Sequence, residues 1–230
     1  MLYIMLIAHL LGDYVLQSGN LARWKAHSPV GGLVHGGIVT VTTMVCAGLV
    51  APSWWPFALL IGLIHTAIDL VRGHFLRTTS PGWELIWYVL DQLAHVAVIA
   101  AMVRWSDALL QSQSALVDPR MAVYVIGYLL LLNPVWIFLC FAVRGVWGSS
   151  AVSLCAGAKP GAMVERVLIA SCVLAGQFYL VPVVLLPRRL APIRRQGKEV
   201  GVLICPTGHW SVTALSVSLA VVVGLTLRMV

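Results

Sequence analysis

The stretch MLYIMLIAHLLGDYVLQ, residues 1–17, decides the fold class of this chain. It is long and apolar enough for a membrane span, because about 20 mainly apolar residues cross the hydrocarbon core as a helix. It nevertheless contains His9 and Asp13, and ionisable side chains are costly at that depth. It lacks a basic leader region and a small-residue cleavage site, so we expect a retained transmembrane helix rather than a signal peptide.

The rest of the chain has the same apolar character. Of its 230 residues, 60% are hydrophobic and 10% charged, whereas about a quarter of a soluble domain is charged. Apolar stretches occur at 1–17, 31–50, 56–72, 84–104, 120–142, 163–187 and 201–227. We predict an all-α, polytopic transmembrane helical bundle of about six or seven spans. It would form a single integral membrane domain, 1–230, with a four-helix core at 1–104 and additional spans at 120–227.

Positive charge lies mostly at the ends of these stretches. The net charge is +7, and one basic run, RRLAPIRRQGK, occupies residues 188–198. This is the usual juxtamembrane pattern, and we expect no nucleic-acid partner. Alternating spans place eight Lys and Arg residues on one side and seven on the other, so the balance predicts no orientation. The segment 146–158 is a candidate interfacial or re-entrant piece.

Three pairs of ionisable residues recur inside the first four spans. HLLGD (9–13), HTAID (65–69) and DQLAH (91–95) each combine a histidine and an aspartate four residues apart. Residues at this spacing share one face of a helix. His35 lies near the start of the second span, and Gln17, four residues beyond Asp13, is expected to extend the same helix face.

The residue types and their spacing predict a metal centre. Four imidazoles and three carboxylates exceed what one tetrahedral zinc needs and suit two divalent ions, zinc or iron, in the core of a helical bundle. The predicted ligands are His9, Asp13, His35, His65, Asp69, Asp91 and His95. A single pair would also serve as a helix-packing hydrogen bond, and a chain of His and Asp residues would also serve as a proton or ion pathway.

Metal-assisted hydrolysis is the most economical chemistry for such a site. Asp13, Asp69, Asp91 and Gln17 are the candidate catalytic residues, and Arg72 and Gln92 the candidate substrate contacts. Gln17 or Gln92 would otherwise orient water or a ligand. A site enclosed by spans favours a membrane-soluble or lipid-like substrate. The same ligands suit a di-iron oxidase or oxygenase acting on an amine, hydroxylamine or acyl chain, and a metal-ion or proton transporter is the remaining alternative.

Other polar residues give weaker signals. Lys25 and His27 fall in the polar break SGNLARWKAHSP (18–29) and are expected to face solvent. Glu165 and Arg166 open the sixth span, where an interfacial anchor or an ion pair is expected. Cys205 and His209 are not expected to form a second metal site, because Pro206 and Gly208 disfavour a regular helix.

The motifs of the first 100 residues resemble those of a family of bacterial integral membrane proteins with a domain of unknown function, related to membrane-bound metal-dependent hydrolases. The residues that match the family's motifs are His9, Leu10, Leu11, Gly12, Asp13, Leu16, Gln17, His35, His65, Asp69, Asp91, Gln92 and His95. The resemblance implies a metal-dependent enzyme in the inner (plasma) membrane of a bacterium. Glu165, Arg166 and Gln177 match more loosely, and the segment from Ile204 to Ser211 departs from the family pattern.

Overall fold

The chain forms helices throughout the residues that the computed structural model describes, which are 1–76, 81–110, 117–147, 159–190 and 210–230. The α-helices are α1 (Leu2–Leu10), α2 (Gly19–His27), α3 (Pro29–Val50), α4 (Trp55–Leu76), α5 (Glu84–Leu110), α6 (Pro119–Leu131), α7 (Asn133–Trp147), α8 (Lys159–Leu174), α9 (Val181–Leu190) and α10 (Trp210–Arg228). Most of the segment 146–158, most of the basic run 188–198, and the Cys205–His209 pair lie outside the described residues.

Five helical segments in the described ranges are long and apolar enough to cross a bilayer: Pro29–Val50, Pro52–Phe75, Glu84–Leu109, Pro119–Val146 and Ser211–Arg228. Leu2–Val15 is a shorter apolar segment. The predicted all-α transmembrane bundle is therefore confirmed, and the chain is a multi-pass membrane protein. It divides into two compact units, Met1–Ile126 and Gly127–Val230, and the first contains the predicted four-helix core.

Helices α3 and α4 pack antiparallel at very short range. A Cβ atom added to Gly36 would lie 2.8 Å from Thr66 Cβ, and one added to Gly62 would lie 2.7 Å from Thr40 Cα. Small residues allow such close backbone approach, which drives helix association where lipid is as apolar as the side chains. This contact fixes α3 and α4, which carry three of the predicted ligands.

We expect Gly36→Leu to destabilise the first unit by about 1–3 kcal/mol, the usual cost of overpacking a close contact. Gly37→Leu is the matched control, because a Cβ atom there meets no atom within 4 Å. Reversible unfolding of the purified protein in mixed micelles measures both variants. Equal stability of the two variants would show that the α3–α4 contact is not the constraint we describe.

The first span is not a regular helix to its end. The Leu16 N–H donates to the Leu11 carbonyl, five residues earlier, at 2.8 Å, so Leu11–Val15 forms a π-helical turn. Such turns occur frequently at functional sites. At Gly12 an added Cβ would lie 3.2 Å from Val39 Cα, which shows that α3 approaches this turn closely. Gln17 lies beyond the turn, so the prediction that it continues the helix face is wrong.

The polar break after the first span contains a helix, α2, rather than a simple turn. Ser18 Oγ accepts a hydrogen bond from the Leu21 N–H at 3.2 Å and caps α2, and Ser28 Oγ accepts one from the Val30 N–H at 3.2 Å and caps α3. Side-chain oxygens at these positions satisfy amide groups that a helix start leaves unpaired. Helix α2 packs against the start of α3, because a Cβ atom added to Gly31 would lie 2.7 Å from the Lys25 backbone nitrogen.

In the second unit, a buried arginine completes a break between two helices. The predicted span 120–142 is interrupted after Leu131, where α6 ends before α7 begins. Arg166 of α8 is fully buried, and it donates from Nε to the Leu131 carbonyl at 2.8 Å and from a terminal nitrogen to the Leu132 carbonyl at 3.3 Å. These are the carbonyls that a helix end leaves without a partner. The expectation of an interfacial anchor at Arg166 is wrong.

The predicted span 163–187 is likewise discontinuous. Helix α8 ends at Leu174 and α9 begins at Val181, with a short 3₁₀ turn, Phe178–Leu180, before α9. Gly176 adopts a φ of 74° between them, a left-handed conformation that glycine adopts at little cost. Apolar periodicity alone does not reveal such a break, because the residues on both sides stay apolar.

Candidate metal centre

The seven predicted ligands come together in the interior of the first unit. The buried residues are His9, Asp13, His35, His65, Asp69, Asp91 and His95. The histidine precedes the aspartate in the pair His9–Asp13 of the first span and in His65–Asp69 of α4, whereas the order is reversed in Asp91–His95 of α5, which runs antiparallel to α4. The reversal brings the three carboxylates together, with the backbone positions of their partner histidines about one helical turn away on the same side.

At the carboxylate level, two imidazoles join Asp13 to Asp69. His35 Nε2 lies 3.1 Å from Asp13 Oδ1 and 3.3 Å from Asp69 Oδ2. His65 Nε2 lies 3.2 Å from each of the same two oxygens. Two carboxylates from different helices therefore share both of these imidazoles, which is a compact arrangement of oxygen and nitrogen donors.

Three of the imidazole rings also form a cluster with one another. The ring centroids of His65 and His95 are 4.2 Å apart, and that of His9 is 5.2 Å from His95 and 5.6 Å from His65. A small cavity beside these three rings is otherwise lined by Val39, Thr43, Ile61, Val98 and Ile99. The site is thus polar on the carboxylate side and mainly apolar on the opposite side.

His95 is oriented as metal-binding histidines usually are. Its Nδ1 lies 2.8 Å from the backbone carbonyl oxygen of Asp91, and because a carbonyl only accepts, Nδ1 carries the hydrogen. The neutral ring then has a lone pair on Nε2. His95 Nε2, Asp69 Oδ1 and Asp91 Oδ1 are all buried without a hydrogen-bond partner in the described parts of the chain. Buried polar atoms of this kind require an explanation, and a bound cation supplies one.

The donor set is therefore suitable for metal ions. One group, His9, Asp13 and His65, and a second, Asp69, Asp91 and His95, each offer three ligand atoms within 4.8 Å of one another. These two groups have no residue in common, while His35 forms a third group with His65 and Asp69. Imidazole and carboxylate donors suit both zinc and iron. The two separate groups therefore offer enough ligands to hold two ions.

Gln92, a predicted substrate contact, lies between two of the predicted ligands. Its Oε1 is 3.3 Å from His9 Nε2, and its Nε2 donates to Asp91 Oδ2 at 3.0 Å. Both ends of the amide therefore orient ligands, which fits the second of its two predicted roles. Gln17 Oε1 is buried, and it has no hydrogen-bond partner within the described ranges.

Two basic residues contact the carboxylates, and only one of them was a candidate. Arg72 donates from a terminal nitrogen to Asp91 Oδ2 at 3.2 Å. Lys25 of α2 donates from Nζ to Asp69 Oδ2 at 2.6 Å, so the expectation that it faces solvent is wrong. No spacing rule links Lys25 to Asp69, because α2 is a separate helix. The signal in the sequence is Gly31, where an added Cβ would lie 2.7 Å from the Lys25 backbone nitrogen.

A tyrosine pair, which sequence reasoning also missed, borders the carboxylate level. The hydroxyls of Tyr14 and Tyr88 are 2.9 Å apart and buried. Tyr14 follows Asp13 directly, and Tyr88 precedes Asp91 by almost one turn. This hydrogen bond therefore joins the Leu11–Val15 turn, which carries Asp13, to α5, which carries Asp91.

Comparison with known proteins places the first unit in a family. The family model described as "Protein of unknown function (DUF3307)" matches residues 1–124. The chain belongs to this family. The part that matches the DUF3307 model contains all seven clustered residues together with Lys25, Arg72 and Gln92. No curated protein and no solved structure matches the chain.

Proposed function

We propose that this DUF3307 protein is a membrane-embedded, metal-dependent hydrolase with a dinuclear His/Asp site, resident in the bacterial inner membrane. The substrate would be a membrane-soluble or lipid-like molecule. The observation that carries the proposal is the pair of separate ligand groups, His9–Asp13–His65 and Asp69–Asp91–His95. Three buried donor atoms without hydrogen-bond partners in the described residues support it further.

The position of the cluster along its helices suits an amphiphilic substrate. His35 lies six residues inside the first end of the span Pro29–Val50, and Asp69 lies six residues before the last residue of the span Pro52–Phe75. At 1.5 Å per residue these positions are about 9 Å from the same face of the bundle. The cluster is therefore nearer to one end of these spans than to their midpoint, since the centre of a hydrocarbon core about 30 Å thick is about 15 Å from either face.

The residues of the cluster divide the work of hydrolysis. Divalent ions, when bound, would lower the pKa of a water molecule to about 7 and polarise the bond under attack. Asp69 contacts Lys25 as well as imidazoles, and Asp91 contacts Arg72, whereas the ion pairs of Asp13 within the described residues are with imidazoles. Asp13 is thus the carboxylate best placed to accept a proton from the attacking water. The oxygen of that water enters one product, and the proton passes to the leaving group.

Isotope labelling tests the reaction class. Purified protein, loaded with zinc or iron in neutral detergent, is incubated with an extract of bacterial lipids in H₂¹⁸O, and the products are analysed by mass spectrometry. We expect ¹⁸O from water in one product, formed at least about 100-fold more slowly by His95→Ala because a metal ligand is lost. His74→Ala, at the exposed end of α4, is the matched control and retains the wild-type rate.

Labelling with ¹⁸O₂ in place of H₂¹⁸O separates the alternative reactions. Incorporation of ¹⁸O from ¹⁸O₂ instead of water would contradict hydrolysis and assign the site to an oxygenase, and an oxidised product without label from either source would assign it to an oxidase. Metal uptake into proteoliposomes that depends on Asp69, without any labelled product, would assign it to transport. Either result replaces the proposal, while the metal-binding residues remain the same.

A further inference from the structure

Two cations lie on the outer side of the carboxylate level, between the cluster and the nearer face of the bundle. The side chains of Lys25 and Arg72 are each 17% exposed, whereas those of Asp69 and Asp91 are almost completely buried. Arg72 follows Asp69 by three residues toward the end of α4, and Lys25 comes from α2, which packs across the start of α3. A ligand approaching the carboxylates from this face meets both cations first.

We propose that Lys25 and Arg72 bind an anionic, phosphate-class group, so that the substrate of the proposed hydrolase is an amphiphile with a phosphate-type headgroup. The reaction of this substrate rests on the proposed function, whereas the anion site itself rests on the positions of the Lys25 and Arg72 side chains. Phosphate oxygens accept hydrogen bonds from ammonium and guanidinium groups with strong charge assistance.

The donors of both cations exceed the contacts they make with the cluster. Arg72 reaches Asp91 with a single terminal nitrogen, and its Nε–H is buried without a hydrogen-bond partner in the described part of the chain. Its guanidinium lies 5.9 Å from the centroid of the Tyr88 ring, which limits its movement. Lys25 has three ammonium hydrogens and contacts Asp69 Oδ2 with one. The remaining donors match an anion with several oxygens.

The net charge of the site also favours an anionic substrate. With neutral imidazoles, the three carboxylates and two cations leave one net negative charge. Two divalent ions would convert this to a surplus of three positive charges, which is unfavourable in a region of low dielectric constant. A hydroxide ion and a phosphate-type headgroup would neutralise most of that surplus. A neutral substrate would leave it in place.

The position of Lys25 is specific to that residue rather than to α2 as a whole. Its neighbour Arg23 is exposed and donates to Asn20 in the same helix at 2.5 Å. Lys25 is held over Asp69 because α2 meets Gly31 without an intervening side chain. One basic residue of α2 therefore serves the site, and another two positions away serves as an internal control.

The test measures ligand-induced thermal stabilisation of purified full-length protein in neutral detergent, with and without loaded metal. The probes are dioctanoyl phosphatidic acid, dioctanoylglycerol as its uncharged counterpart, and inorganic phosphate. We expect phosphatidic acid to stabilise the wild type, with affinity at least about tenfold lower in Lys25→Met and in Arg72→Gln, since each loses a charged hydrogen bond. Lys25→Arg should retain binding. Arg23→Gln and Arg104→Gln, at exposed positions, should bind as the wild type does.

Each outcome has one meaning. Stabilisation by phosphatidic acid alone assigns a lipid headgroup, and equal stabilisation by inorganic phosphate that the same variants lose assigns a free phosphate. Equal stabilisation by dioctanoylglycerol, or unchanged affinity in both Lys25→Met and Arg72→Gln, overturns the anion site. Metal content, measured on the same samples, separates this failure from failure of the proposed function: a wild type without metal that still binds the anion would contradict only the latter.

Discussion

Asp69→Asn is expected to lower the metal affinity of the purified protein at least about 100-fold, more than the loss of an outer partner of a ligand usually costs. Asp69 belongs to two of the three ligand groups. Its Oδ2 lies within 3.3 Å of His35, His65 and Lys25, and its Oδ1 is buried without a hydrogen-bond partner in the described ranges. An amide of the same shape keeps the volume but replaces one acceptor oxygen with a donor and removes the charge.

The affinity of Asp69→Asn is measured by competition with a chelator of known strength. Asp107→Asn is the matched control, because this substitution also removes one carboxylate from the first unit. Asp107 lies at the exposed end of α5. Thermal unfolding of both metal-free proteins shows whether the first unit still folds. Wild-type affinity in a folded Asp69→Asn protein would remove Asp69 from the ligand set.

Arg166→Leu is expected to have the largest effect on stability, lowering the free energy of unfolding by about 2–5 kcal/mol. The substitution leaves the Leu131 and Leu132 carbonyls, at the break between α6 and α7, without the donors that Arg166 supplies. A buried acceptor that loses its partner costs about 1–3 kcal/mol. Leucine also fills less of the space that the buried arginine occupies, which adds a packing loss.

Chemical unfolding in mixed micelles tests this prediction with Arg120→Leu as the control. Arg120 lies exposed in the first turn of α6, so its replacement should change stability by less than about 0.5 kcal/mol. Metal content is expected to stay unchanged in both variants, because every ligand lies in the first unit. Equal stability of the two variants would show that Arg166 does not complete the helix break.

The sequence predicts the ligand cluster because its information is local. HLLGD, HTAID and DQLAH each place two ligands on one helix face, and hydrophobicity identifies the spans that carry them. Gly12, inside the first of these motifs, allows α3 to lie against the helix that carries Asp13. That all seven side chains meet follows from these faces, since polar groups inside spans avoid lipid.

The features that the sequence did not reveal depend on tertiary contacts. Lys25 reaches Asp69 only because α2 folds back over Gly31, and nothing in the spacing of residues 25 and 69 indicates that contact. The π-helical turn at Leu11–Val15 ends the first helix before Gln17, although the hydrophobic pattern continues. An interfacial position was expected for Arg166 because it opens a span, whereas two of its hydrogen bonds go to backbone carbonyls, which have no signature in the sequence.

Elemental analysis of the purified wild type beside His9→Ala and His95→Ala tests the metal centre most directly. His9 and His95 belong to different ligand groups, so each variant removes one site and leaves the other. We predict about two zinc or iron ions per wild-type chain, about one in each variant and none in the double variant, as two three-ligand groups require. A folded wild type without bound transition metal, or the same metal content in all four proteins, would contradict the assignment.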